Sequence, residues 1–382
     1  MIEFNKKLIF RKFFLDNTYF FIISLASLSI IVWVIQAVNF LDYVTEDGHG
    51  LLVYLNYTLL SLPKIISRLM PFIFFISIFY TINKFEDNNE LKIFWIFGTE
   101  KKEFLKVVLK YSIIFLIIQH IFSLFLVPST QNKARTFIQS SSIDFFPSLI
   151  NEKKFIDTVD KLTIYVEKKE QNLYKQIFLK DTKEPGKTKV VYADTGSLVN
   201  NNEGRFLNLF NGKIINVNKN NITIFNFKNT TFDLSKYLTK SIVTFKIQET
   251  STYDILNCFI NFHVLKKTSY YHVNNCNDNS LGMFHRELFK RLIKPFFYLS
   301  LGTILCFLLF FSKENINFKL YRFYIFILGI LIIISSELLL PLSSKNKFFF
   351  NFTIVFPFIL FIFQLIILLK NLIHIKIHDP KL

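Results

Sequence analysis

Five or six apolar runs constrain this chain more than anything else in it. Each is close to the roughly 20 residues that a helix needs to cross a hydrocarbon layer about 30 Å thick. The first is TYFFIISLASLSIIVWVIQAV (18–38), followed by LLSLPKIISRLMPFIFFISIFYTI (59–82) and FLKVVLKYSIIFLIIQHIFSLFLV (104–127). After a long polar stretch come LIKPFFYLSLGTILCFLLFF (292–311), FYIFILGILIIISSELLLPL (323–342) and FFFNFTIVFPFILFIFQLIILL (348–369). Backbone polar groups in lipid must be paired within the segment, so such runs fold as spanning helices. Overall apolar content, 51%, is near that of a soluble domain and decides nothing; the clustering does. The first run is longer than a signal-peptide core and no small-residue cleavage site follows it, so it reads as a span.

The net charge of +17 would point to nucleic acid in a soluble protein. Here it is explained by the positive-inside bias and by anionic lipid, and no nucleic-acid partner is expected. Lys6, Lys7, Arg11 and Lys12 precede the first run, Lys84, Lys92, Lys101 and Lys102 follow the second, and Lys313, Lys319 and Arg322 follow the fourth. Lys370, Lys376 and Lys381 follow the last, whereas the loop NFLDYVTEDGHG has Asp42, Glu46 and Asp47 and no Lys or Arg. That asymmetry places both ends of the chain in the cytoplasm and residues 129–285 outside, with Lys345 and Lys347 running weakly against it. Cys258, Cys276 and Cys306 show no metal-ligand spacing; the first two are external and free to pair in an oxidising compartment.

Residues 129–250 replace apolar runs by short alternating segments: KLTIYVEKK, LYKQIFLKD, KVVYADTGSL, RFLNLFNGKIINV, NITIFNFKN and SIVTFKIQ. Leu162, Ile164 and Val166 share one face, the period-2 mark of a half-buried strand. Asn211-Gly212 is a hairpin signal. The expectation is a small antiparallel β domain, a sandwich or jelly roll. Its inner face, with Ile164, Val166, Ile222 and Ile224, is either a closed core or an open trough for acyl chains. EPGKTK (184–189) is not a P-loop, because the position four residues before its Gly-Lys holds Asp181. There is no catalytic triad, metal cluster or carboxylate pair, so neither an enzyme nor a cofactor is expected.

NKFEDNNELKIFWIFGTEKKE (83–103) reads as a short helix, 86–98, on the cytoplasmic face. Leu91, Phe94, Trp95 and Gly98 fall on one side, and Glu86, Asp87 and Glu90 sit near its start, where acids suit the helix dipole. An interfacial anchor would prefer a basic polar face. An acidic amphipathic helix suits a groove on a soluble partner. In MFHRELFKRLIKP (283–295), Arg286, Lys290 and Lys294 are spaced i, i+4, i+8, with Arg291 beside them. They read either as snorkelling cations or as a clamp for a phosphorylated lipid. Lys64 and Arg68 lie inside the second run, where a charge costs roughly 2.5–3.5 kcal/mol, so they should face a bundle interior or wet cavity. Glu337 is a similar case.

Three helices, an external β insert, then three more helices is an unusual order. QAVNFLDYVTEDGHG through NKFEDNNELKIFWIFG resembles the start of the lipopolysaccharide export permeases, the LptF/LptG (YjgP/YjgQ) family: helix one, a Gly-containing loop, Leu-Pro, a second Pro, and an acidic Glu-Leu segment ending in Gly. VVYADTGSLV with LNLFNGKIINV resembles the opening of that family's jelly roll, and FHRELFKRLIKPFFYLSLG its fourth helix. ADTGSLV and ELFKRLIKP look more like the LptF branch. The family's lipid-contacting basic residue near the outer end of helix one is replaced here by Asn39 and Asp42.

The resemblance implies a membrane α-helical fold with six spans and a periplasmic jelly roll: 1–128 with spans one to three and the coupling helix, 129–255 the β domain, and 256–382 a connector with spans four to six. It implies a multi-pass permease in the inner membrane of a Gram-negative bacterium. Its partners would be an LptG-like second permease, a dimeric LptB-like ATPase docked at Glu86, Asp87, Glu90, Leu91, Phe94, Trp95 and Gly98, and LptC-like and LptA-like bridge proteins. Lipopolysaccharide would be the substrate, its phosphates met by Arg286, Lys290, Arg291, Lys294, Lys64 and Arg68. ATP hydrolysis would belong to the partner. The alternatives are a lipoprotein-release or MacB-like permease, with four helices and the insert after the first, and a non-transporting membrane scaffold.

Overall fold

The computed structural model describes residues 2–41, 51–141, 150, 152–157, 161–170, 173–184, 186–201, 204–218, 221–234, 246–263 and 281–378. Asp42, Glu46, Asp47 and Cys276 lie outside them. Among the described residues six helical stretches are long and apolar enough to cross a membrane: Lys6–Asn39, Leu51–Asp87, Lys101–Ile138, Leu281–Phe310, Phe318–Leu342 and Phe348–Ile373. The protein is therefore a helical membrane protein with an inserted β domain.

The chain opens with α1 (Ile2–Asn39). The second span is two helices, α2 (Leu51–Leu60) and α3 (Leu62–Asp87), parted at Ser61 just before Pro63, which has no N–H to continue the ladder. A short α4 (Glu90–Ile96) precedes α5 (Lys101–Ile121), whose start is closed by a reciprocal Glu100–Glu103 capping box. A π-helical turn, Phe122–Leu126, joins α5 to α6 (Val127–Ser141). Beyond the β insert come α7 (Thr252–His263) and α8 (Leu281–Leu288). A second π turn, Phe289–Ile293, and a 3-10 turn lead from α8 into α9 (Phe297–Cys306), followed by α10 (Phe318–Leu342) and α11 (Lys347–His378).

The chain divides into two compact units, one of residues 1–33, 62–131 and 247–382, the other of residues 34–61 and 132–246. In the first, Phe13, Phe74, Phe75, Phe85 and Phe104 are fully buried. Lipid tails are as apolar as these rings, so dispersion and close approach hold the helices together here, not hydrophobic exclusion. Gly302 marks one close approach: a Cβ there would strike the Ser112 hydroxyl on α5.

The second unit holds one six-stranded antiparallel sheet whose strands pair in chain order. They are β1 (Phe155–Ile156), β2 (Leu162–Glu170), β3 (Leu173–Asp181), β4 (Lys187–Asn201), β5 (Gly204–Asn218) and β6 (Ile222–Asp233). SIVTFKIQ adds no strand within the described residues; Ile247–Glu249 is a 3-10 turn. Along the row Glu167, Gln176, Asp194, Asn211 and Lys228 the ladder is interrupted, and it resumes on the far side in the same register. Gln176 and Asn211 take positive φ there. The inward-facing set shifts by one residue across this row on β3, β4 and β5. On β3 it passes from Tyr174 to Ile177 and Leu179, on β4 from Gly196 to Ala193 and Val191, and on β5 from Leu209 to Gly212 and Ile214. Because these strands slip at the same row, the sheet keeps both its register and its continuous apolar face, where a slip in one strand alone would turn its apolar residues to solvent.

Asn211-Gly212 is thus part of this kink inside β5 and not a hairpin turn. Asn tolerates the left-handed conformation, and a Cβ at Gly212 would strike the Tyr192 carbonyl and the Phe227 ring.

Candidate functional site

Three groups of residues carry the chemistry. In the first, the segment expected as one helix over 86–98 is interrupted. Glu86 and Asp87 end α3, Asn89 turns left-handed, and Gly98 lies beyond α4 with positive φ. Leu91 and Phe94 point into the bundle, with the Phe94 ring edge-on to Phe85 and Trp95 against Phe104. The residues that α4 and the turn after it turn outward are Ile93, Ile96 and Phe97, with Ile96 82% exposed. The acids are engaged within the chain. Glu86 is buried and accepts the Lys313 backbone N–H at 2.7 Å, Asp87 pairs with the Arg322 guanidinium through both oxygens, and Glu90 accepts from Lys12 at 2.6 Å. Lys92 binds Glu314 and holds that carboxyl below the usual carboxylate range. This fastens α4 to the turn 312–317, whose Ile316 is 98% exposed.

In the second group, the expected i, i+4, i+8 face of Arg286, Lys290 and Lys294 is broken, because a π turn and a 3-10 turn replace α geometry between Phe289 and Phe296. Pro295 causes the break. It has no N–H for the Arg291 carbonyl four residues back, and the Ser123 hydroxyl donates there instead at 3.0 Å. Arg291 itself is 1% exposed and fully engaged. It donates to Glu287 (3.0 Å), the Thr250 carbonyl (3.0 Å), the Thr252 hydroxyl (2.9 Å) and the Gln248 carbonyl (3.2 Å). Its expected role on lipid phosphate is therefore corrected to that of a buried strut, and an acceptor at each of its three guanidinium nitrogens explains why the charge is tolerated. Lys294 pairs with Glu337 at 2.5 Å, close enough to Lys290 and Arg68 for their charges to interact. Arg286 and Arg68 are exposed, and Lys64 is half-buried.

In the third group, Leu162, Ile164 and Val166 are buried on one face of the sheet. Register puts Ile164 in line with Leu179, Val191, Ile214 and Phe225, and Val166 with Ile177, Ala193, Gly212 and Phe227. Ile222 and Ile224 lie on the opposite face, both exposed. Strand pairing puts Phe225 and Phe227 on the inner face in their place, although Phe225 is itself 58% exposed; in ITIFNF either alternating set reads as apolar, and only strand pairing decides. The Tyr174 hydroxyl is buried on the inner face without a hydrogen-bond partner, and burial pushes that phenol up.

The chain matches the family model described as lipopolysaccharide export system permease LptF/LptG over residues 9–371. It belongs to the LptF/LptG permease family. This LptF/LptG chain is thus a multi-pass membrane protein. It is also 24% identical over 193 residues to an uncharacterized protein of Rickettsia prowazekii (strain Madrid E), covering 50% of this chain and 53% of that protein. The chain therefore spans about half the length of that curated relative.

For an LptF/LptG chain, three features escape sequence reasoning. The outward set Ile93, Ile96, Phe97 and Ile316 is split between distant segments joined by Lys92 and Glu314. The Arg291 strut joins residues about 40 apart. Cys258 is disulfide-bonded while Cys306 is a buried free thiol, and Cys276 lies outside the described residues.

Proposed function

We propose that the chain is one permease half of an ABC transporter that extracts lipopolysaccharide from the periplasmic leaflet of the inner membrane and passes it through its jelly-roll domain toward the outer membrane. The observation that carries this reading is the family match over residues 9–371, which takes in the spans and the β insert together. Three spans precede the sheet and three follow it, an order that a four-span permease with its insert after the first span does not have. With the basic loops inside, an odd number of crossings supports a periplasmic sheet, and the disulfide at Cys258 suits that oxidising compartment.

Each acyl CH₂ kept from water is worth about 0.8 kcal/mol, so a lipid with several chains needs an apolar path once it leaves the bilayer. The inner face of the sheet, from Ile164 and Val166 to Phe225 and Phe227, supplies one. Arg68 and Arg286 are the exposed cations offered to phosphate, joined by Lys64, by Lys290 shared with Glu287 and by Lys294 shared with Glu337.

On the cytoplasmic side an LptB-like ATPase dimer docks on the outward side of α4 through Ile96, Phe97 and Ile316, while Leu91, Phe94 and Trp95 transmit its movement into the bundle. Glu86, Asp87 and Glu90 hold that lever to Lys313, Arg322 and Lys12. An LptG-like permease completes the pair, ADTGSLV and ELFKRLIKP placing this chain on the LptF side, and LptC-like and LptA-like proteins continue the path. ATP hydrolysis belongs to the ATPase alone.

The test is affinity purification of the tagged chain from its native membrane with identification of what comes with it. A P-loop ATPase and a second six-span permease are expected; a preparation containing neither overturns the proposal.

A further inference from the structure

The face of the sheet opposite the apolar one carries two parallel rungs of side chains. Tyr165, Phe178 and Tyr192 are cross-strand partners in one rung, extended by Phe155 at one end and Lys213 at the other. Phe178 and Tyr192 lie 5.1 Å apart between centroids, and Phe155 and Tyr165 4.8 Å. Two residues along each strand, on the same face, lies the second rung: Glu167, Gln176, Asp194 and Asn211. This is the row where the ladder is interrupted. The two rungs line a cleft of about 580 Å³.

Cross-strand aromatic pairs stabilise a sheet, and these rings also leave apolar surface open beside the polar rung. Here they are half-buried or exposed, with Tyr192 41% exposed. The chemistry beside them narrows the ligand. The cleft lining itself holds two carboxylates, Glu167 and Asp194, and one lysine, Lys213, a balance that does not select for phosphate. Carboxylates and primary amides accept and donate in the paired fashion that vicinal hydroxyls require. Aromatic faces carry negative charge density that attracts the polarised C–H groups of a pyranose ring. Strands sit about 4.8 Å apart, so three ring positions span about 10 Å, the length of a disaccharide.

We propose that this face binds a neutral saccharide, its sugar rings stacked on Tyr165, Phe178 and Tyr192 and its hydroxyls held by Glu167, Gln176, Asp194 and Asn211. The site is separate from the apolar face and does not depend on lipid passing there. A glycolipid headgroup and a free oligosaccharide present the same chemistry.

The experiment is saturation-transfer NMR on the full chain in nanodiscs with three probes: maltotriose, lipid-free oligosaccharide cleaved from lipopolysaccharide, and intact lipopolysaccharide. Transfer to ring protons of at least one lipid-free probe is expected, falling at least fivefold in Tyr192→Ala and in Asp194→Ala. Glu167→Gln keeps the shape of the site and is expected to weaken transfer about threefold, which separates loss of binding from loss of folding. Equal transfer in wild type and variants, or no transfer from either lipid-free probe, overturns the proposal. Binding of intact lipopolysaccharide alone also overturns it, while leaving the transport reading in place.

Discussion

The Ser123 hydroxyl donates to the Arg291 carbonyl at 3.0 Å, in the place of the N–H that Pro295 lacks. Two helices thereby share one repair. Interhelical hydrogen bonds in membranes average about 0.6 kcal/mol and reach about 1.7; this one serves the carbonyl four residues before the proline. Ser123→Ala is expected to cost about 1 kcal/mol of unfolding free energy in detergent titrations. In a Pro295→Ala background, where the helix can supply its own donor, that cost should fall by half or more. Equal costs in the two backgrounds would show that proline does not create the need.

Arg291 is the next case. Removing one partner of a buried, hydrogen-bonded ion pair costs about 3–5 kcal/mol, because Glu287 stays buried after its partner has gone. Arg291→Met should therefore lower stability by that order and reduce the amount of folded protein in the membrane. Arg286→Ala, at an exposed cation on the same segment, should change stability by no more than about 0.5 kcal/mol. Similar losses for both would remove the distinction between strut and surface charge.

The outward side of α4 gives a prediction about partner binding. Ile96→Glu should cut the co-purified ATPase at least tenfold without loss of folded permease, since Ile96 touches little of its own chain. Glu90→Lys should also reduce it, by setting a second ammonium against Lys12 and loosening the lever. Leu91→Glu places an unpaired charge in the bundle and is expected to fail at folding instead. Wild-type ATPase recovery with Ile96→Glu would move the docking surface elsewhere.

Strand register sets a parity test for lipid passage. Photo-crosslinking side chains at Ile164 and Phe225, in line on the inner face, should capture lipopolysaccharide in energised membranes. One at Ile224, a single residue away on the other face, should capture about tenfold less. Equal labelling at Phe225 and Ile224 would mean that the apolar face is not the path, and no lipid at Ile164 would mean a sealed core.

The six spans are legible because lipid imposes one rule, about 20 apolar residues with their backbone bonds closed within the segment. The face of each strand was less so. LTIYV alternates cleanly, but the one-residue slip at Gln176, Asp194 and Asn211 breaks period 2 within a strand, and Asn-Gly chemistry that normally turns a hairpin here kinks β5. Around Glu90 the spacing marks an apolar side, of which Leu91 and Phe94 are buried. Which side faces inward depends on Phe85 and Phe104, residues that local spacing does not contain. Arg291 looked like its neighbours Lys290 and Lys294 because its partners Thr250 and Thr252 are distant in sequence and not charged.

Each strand of the insert neighbours only its predecessor and its successor. Such a meander assembles by successive addition of adjacent segments, with short loops to close and little delay from distant pairings. Its order needs nothing from the last three spans. The insert can therefore reach its final pairing while residues 281–378 are still being synthesised, and a ribosome stalled at that point would already carry a protease-resistant β fragment.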